Sequence, residues 1–133
     1  MSLLNSMNIS ASGLTAQRLR LDLISSNMAN IETTRTEDGG PYRRQVPIFR
    51  EILDQYTGMT NGVEVAAIIR DNSPFRMVYD PGHPDANLEG YILYPNVNPV
   101  VEMTDMISAT RSYEANLSLI TAAKSMFLKT LEI

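Results

Sequence analysis

The sequence predicts an α+β fold in which long N- and C-terminal helices pair as a coiled-coil-like hairpin around a small inserted β-rich domain. Three observations carry this. Both ends of the chain repeat apolar residues every seven positions, most of the Gly and Pro lie between those ends, and the apolar residues of that middle alternate with period two. With 133 residues the length fits one small domain with extensions. The expected division is a terminal helical unit made of 1–33 and 99–133, and a β-rich middle of 34–98.

The first helix is read from about Ser2 to Ile31. Met7, Leu14, Leu21 and Met28 form a heptad row, and Leu3, Ile24 and Ile31 fall on a flanking row. At about 1.5 Å per residue such a helix is roughly 45 Å long. Gly13 is its one weak helix former, at about 1 kcal/mol relative to Ala. A solvated helix carries charge on its polar face. Before Glu32 the only charges here are Arg18, Arg20 and Asp22, and the remaining polar positions are Ser, Asn, Thr and Gln. Such a helix is written to be surrounded by other chain rather than to stand in water.

The middle opens on a turn at Asp38-Gly39-Gly40-Pro41. Val63, Val65, Ala67 and Ile69 mark a strand; Phe75, Met77 and Tyr79, then Tyr91 and Leu93, mark further strands. Residues Phe49 to Tyr56 are expected to add one or two helical turns.

Helix returns from Pro99 to Ile133. Asn98 suits the N-cap, Pro99 the first helical position, and Glu102 the positive end of the dipole. Met106, Tyr113, Ile120 and Phe127 repeat every seven residues beside Met103, Thr110, Leu117 and Leu131, while Ala109, Asn116 and Ala123 keep one flank narrow. An antiparallel pairing of the two ends, bundled with other chains, buries both stripes. The expected assembly interface comprises Met7, Leu14, Leu21, Ile24, Met28, Met106, Tyr113, Leu117, Ile120, Phe127 and Leu131. Asn27, Asn30 and Asn116 read either as polar register-setters, as a buried coiled-coil Asn does, or as ordinary helix-surface residues.

Other functions find little support. Net charge is −4 and Arg43–Arg44 is the only adjacent basic pair, so no basic stripe for nucleic acid or anionic membrane exists. The absence of cysteine excludes disulfides and thiolate chemistry. The start lacks the charged and apolar regions of a Sec signal peptide, and no window reaches a membrane span. The single histidine, His83, sits in Asp80-Pro81-Gly82-His83-Pro84-Asp85, which reads as a rigid turn rather than a metal or general-base site. Neither a nucleophile elbow nor a phosphate loop is present. No catalytic site, metal or cofactor is expected. A soluble helical adaptor or chaperone with a closed helical hairpin is the rival to an assembly subunit.

The run Ser10–Asp22 and its continuation Ser25–Thr34, with the spacing S-x-N-x-A-N-x-x-T, followed by Pro41–Gln45, resemble the N-terminal signature of the bacterial flagellar rod and hook axial proteins. Tyr79–Asn87, Glu89–Tyr91, Tyr94–Asn98, Glu102–Met103, Asp105–Ile107, Arg111–Asn116, Ala123–Met126 and Leu131–Ile133 are similar to the proximal-rod members of that family. Met28 replaces a more usual Ile or Leu, and the stretch 49–61 is short beside many members. The resemblance implies a structural subunit of the proximal rod, the drive shaft in the periplasmic space. It also implies terminal helices forming the inner layer of a helical tube, and export by the flagellar type III apparatus without a cleaved signal. Other rod proteins and the adaptor joining rod to membrane ring are the implied partners.

Overall fold

A computed structural model describes residues 2–133. The order of elements is α1 (Leu3–Ala29), β1 (Gln45–Leu53), β2 (Thr60–Arg70), β3 (Arg76–Tyr79), β4 (Tyr91–Tyr94) and α2 (Pro99–Glu132). Two long terminal helices and a middle of antiparallel strands make the α+β architecture that the heptads and the period-two stretch predict.

Each helix starts where its capping chemistry stands. The Ser2 hydroxyl accepts the Asn5 N–H at 3.1 Å, and the Asn98 side chain accepts the Val100 N–H at 3.0 Å, with Pro99 next. At the far end of α1, Asn30 is the C-cap; its backbone N–H and its side-chain amide both bond the Ser26 carbonyl.

The middle consists of two separate two-stranded sheets, β1–β2 and β3–β4. In the first, Gln45 pairs with Arg70 and Leu53 with Thr60, with register shifts at Ile48/Phe49 and Ile52/Leu53. The expected helical turns at 49–56 do not form: Phe49–Leu53 belongs to β1, and a turn follows it. Phe49, Ile52, Leu53 and Tyr56 have helical spacing, but pairing with β2 satisfies the backbone of the first three and overrides the local pattern, and Tyr56 falls in the turn. Pro47 is tolerated because a two-stranded ribbon has only edge strands. The turn is closed by Asp54, whose carboxylate accepts the Tyr56 and Thr57 N–H groups at 2.8 and 3.2 Å; these bonds hold its pKa below the ordinary carboxylate value.

β3 and β4 pair from Arg76↔Tyr94 to Tyr79↔Tyr91, with Tyr79 and Tyr91 edge-to-face at 5.2 Å. The segment joining them turns through His83: its N–H donates to the Asp80 carbonyl, and its Nδ1 accepts the Asp85 N–H at 3.1 Å. Asp85 is tied to Arg35 and Thr34, which hold its carboxyl below its ordinary value.

The buried apolar core is thin and rich in small residues: Ala16, Leu23 and Ile24 of α1, Ile92 and Val97, and Ala109 and Ala123 of α2. Helix α1 is the shared element, packed against α2 and against the β1–β2 hairpin.

Candidate assembly interface

The helices run antiparallel. Asn27 bonds Glu102, Arg20 lies 3.7 Å from Asp105, and Gly13 faces Asn116. The face that α2 turns to α1 is the row Glu102, Ala109, Asn116 and Ala123, spaced by seven; the first, second and fourth are buried and Asn116 is half-buried. These residues are mostly small because the backbones pass close. A Cβ placed on Gly13 would come within 2.9 Å of the Asn116 amide nitrogen. On α1 the buried positions are Ser10, Ala16, Leu23, Ile24 and Asn27.

At the end of this pair that joins the middle strands sits a polar cluster contributed by five segments. Asn27, almost fully buried, uses its whole amide. Its Nδ2 donates to the Gln45 carbonyl (2.9 Å) and to Glu102 Oε2 (3.3 Å), while its Oδ1 accepts from the Tyr42 hydroxyl (2.8 Å) and the Gln45 N–H (3.0 Å). Glu102 is fully buried, and its other oxygen accepts from Arg44 Nε. Arg44 also bonds Asp105 at 3.2 Å and lies 3.6 Å from Asp71. Burial alone lowers the pKa of this guanidinium, but the bond and field of Glu102, with Asp105 and Asp71, more than offset it and hold the pKa above its ordinary value. Asp71 is held below its ordinary value first by the Ser73 hydroxyl and N–H, then by Arg44. Asn96 completes the cluster by accepting the Arg44 N–H at 2.8 Å and donating to the Asp71 carbonyl at 3.0 Å. Among the described residues no buried side-chain nitrogen or oxygen lacks a partner.

A second anchor fixes the hairpin along α1. The Ser12 hydroxyl accepts the Val63 N–H at 3.0 Å and donates to the Ile9 carbonyl at 2.6 Å. Gly62, at φ 133°, lies so close to Ser12 that a Cβ there would overlap its hydroxyl. The anchors at Asn27 and Ser12 stand fifteen residues apart on α1, about 22 Å at helical rise, which matches the span of β1 from Gln45 to Ile52 at about 3.3 Å per residue.

The residues named from the sequence fall into three groups. Ile24 and Asn27 are buried within the chain. Met7, Leu14, Leu21, Met28, Asn30, Met106, Tyr113, Asn116 and Ile120 are partly covered. Leu117, Phe127 and Leu131 are exposed, as are Met103, Ile107, Met126 and Leu128 on the same helix. The narrow flank of α2 faces α1 most directly, since small side chains allow closer approach of two helices; Met106, Tyr113 and Ile120 lie partly covered, and Met103, Leu117, Phe127 and Leu131 are exposed. Asn30 stands outside the helix contact as a cap, and Asn116 donates to Ser112 of its own helix while filling the space beside Gly13.

Arg44 and Glu102 are the residues that sequence reasoning missed. The available signal was the lone charge of Glu102 in an otherwise small, uncharged heptad row. No group of three His, Cys, Asp or Glu among the described residues is placed to hold a metal ion, and no helix among them is long and apolar enough to cross a membrane.

Two family models match the chain at its ends: "Flagella basal body rod protein" over residues 7–35, and "Flagellar basal body rod FlgEFG protein C-terminal" over residues 88–133. The helices lie largely inside these stretches, as do Asn27, Asn96, Glu102 and Asp105 of the cluster, while Tyr42, Arg44, Gln45 and Asp71 lie between them. Over its full length the chain is 49% identical to the flagellar basal-body rod protein FlgC of Borreliella burgdorferi and 48% to that of Bacillus subtilis, covering 98% and 99% of those proteins. It is 43% identical to FlgC of Salmonella typhimurium, again over its full length and 98% of the relative. With 43–49% identity over its full length to these relatives, the chain belongs to the FlgC family of flagellar basal-body rod proteins.

Proposed function

We propose that the chain builds the flagellar rod through its two terminal helices, with the uncovered apolar row of α2 as the principal contact between subunits. Family membership makes it a structural rod subunit of the flagellar basal body, and a noncatalytic role is part of this proposal. The proximal position, the helical tube, the periplasmic setting, type III export and contact with the rod-to-ring adaptor are parts of this proposal. So is the division into a terminal helical unit (1–33 and 99–133) and a middle domain (34–98).

The observation that carries it is the orientation of α2. Its small row is used on α1, which leaves Leu117, Phe127 and Leu131 turned away and exposed. A closed-hairpin adaptor would cover these residues, so its central requirement is unmet. Burying the exposed part of each such side chain gains about 1 kcal/mol at roughly 25 cal/mol per Å². Several in a row, repeated in every subunit, offset the ordering cost of assembly. Head-to-tail repetition of one such contact, without ring closure, yields a helical structure. Met7, Leu14, Leu21, Met28, Met106, Tyr113 and Ile120, all partly covered, complete the contact from both helices.

Leu117→Glu combined with Leu131→Glu tests the reading. Both sites are exposed, so the variant protein is expected to keep its circular dichroism and melting temperature while rod assembly and swimming are lost. Normal motility with both glutamates in place refutes the contact.

A further inference from the structure

The seam between α1 and α2 is nearly uniform along its length. The offset that sets Asn27 against Glu102 and Gly13 against Asn116 also brings Arg20 to Ala109 and Ser6 to Ala123. Apart from the polar cluster and Arg20, which reaches Asp105 of α2, small side chains face small side chains at heptad spacing. A slip by one heptad, about 10.5 Å of rise, would set Ser6 against Asn116 or Thr130 and Gly13 against Ala109 or Ala123. Packing of this kind specifies closeness but not register.

We propose that Glu102, clamped between Asn27 and Arg44, is the register key of the helix pair. It is the one charge in its row, and it has no access to solvent. Its oxygens are satisfied by groups from two different segments, Asn27 on α1 and Arg44 just before β1. Asn27 in turn has no spare donor or acceptor, because Tyr42 and Gln45 take the rest of its amide. Slipping by a heptad in either direction removes both partners at once: one slip sets the carboxylate opposite Arg20 without the Asn27 amide, and the other sets it beyond the end of α1. A buried charge that is costly when unpaired adds little to stability but discriminates strongly between alternative alignments.

The register also sets how far α2 overhangs the start of α1. Phe127, Leu128, Leu131 and Ile133 are exposed at that end, and a slipped pair would move them by about two helical turns. The inference concerns the isolated chain and stands independently of the rod assignment.

The chain has no cysteine, so engineered pairs report register without background. Ser6→Cys is combined with Ala123→Cys, Asn116→Cys or Thr130→Cys in the full chain, and disulfide formation is measured in dilute monomer. With Glu102 present the 6–123 bond is expected to dominate. With Glu102→Ala, the yield of 6–116 or 6–130 relative to 6–123 is expected to rise at least about tenfold. The same direction is expected for Asn27→Ala. If the folded variants still form only the 6–123 bond, the short Pro95–Asn98 connection sets the register and the proposal fails. It fails equally if the parent forms no 6–123 bond. Should Glu102→Ala not fold, oxidative refolding with the 6–123 cysteines must restore its helical circular dichroism; absence of rescue overturns the proposal.

Discussion

Replacing Arg44 by alanine removes the only cation among the described residues bonded to Glu102, a carboxylate that has no exposed surface. Glu102 then keeps one bond, from Asn27 at 3.3 Å, and no compensating charge within the buried space. Breaking a buried pair from one side costs about 3–5 kcal/mol. The lower end applies because the Arg44 side chain is itself 20% exposed and water can follow the shortened residue inward. Asp105 and Asp71, released at the same time, are partly solvated and add little. A loss of about 3 kcal/mol is a large share of the roughly 5–15 kcal/mol that holds a domain together. In urea, with a slope of about 2 kcal/mol per molar, the midpoint should drop by about 1.5 M with the slope unchanged. The melting temperature should fall by about 10 °C. The control is the double variant Arg44→Met with Glu102→Leu, which removes both charges, fills the space and should cost about 1 kcal/mol or less. The reasoning is refuted if Arg44→Ala costs under about 1 kcal/mol, or if the double variant costs as much as the two single changes added together.

Gly62→Ala should cost about 2–4 kcal/mol, from strain at positive φ and overlap with Ser12; hydrogen exchange at the Val63 amide should accelerate as the hairpin lifts from α1. Gly13→Ala should be near neutral, since a helix-propensity gain of about 1 kcal/mol offsets a shift of the Asn116 side chain. Gly13→Leu should instead wedge the helices apart at about 1–3 kcal/mol, read by thermal melting. Asp71, Asp85 and Asp54 all have depressed pKa values. Their contribution is therefore present above the unfolded carboxylate value and lost as pH falls through the lower folded values. Stability measured by chemical denaturation should hold from neutrality to about pH 4 and decline below it.

Periodicity made the terminal helices legible, and capping chemistry at Asn98, Pro99 and Glu102 located the start of the second one. Alternation likewise revealed β2. At 49–56 helical turns are expected, but although Phe49, Ile52, Leu53 and Tyr56 satisfy a helical spacing, the backbone of Phe49 to Leu53 pairs with β2 residues seven to sixteen positions away. The heptads also showed that α2 has a large apolar row and a narrow row, but not which of them meets α1. That choice depends on how close two backbones come, and Gly13 against Asn116 decides it only in three dimensions. The Arg44–Glu102 contact joins positions 58 residues apart. No local period carries such a contact, so Arg44 read as half of the one adjacent basic pair and Glu102 as a dipole complement.

The antiparallel pairing of α1 and α2, closed by the cluster at one end, has a mechanical consequence. The free apolar end of α2 lies at the opposite end from that cluster. A load applied there along the helix axis meets the whole row of contacts side by side, and all of them must yield together. A load applied across the axis at the same point opens the contacts one after another, as a seam is peeled. The chain is therefore stiff along its length and compliant sideways, and it resists sliding far better than prying.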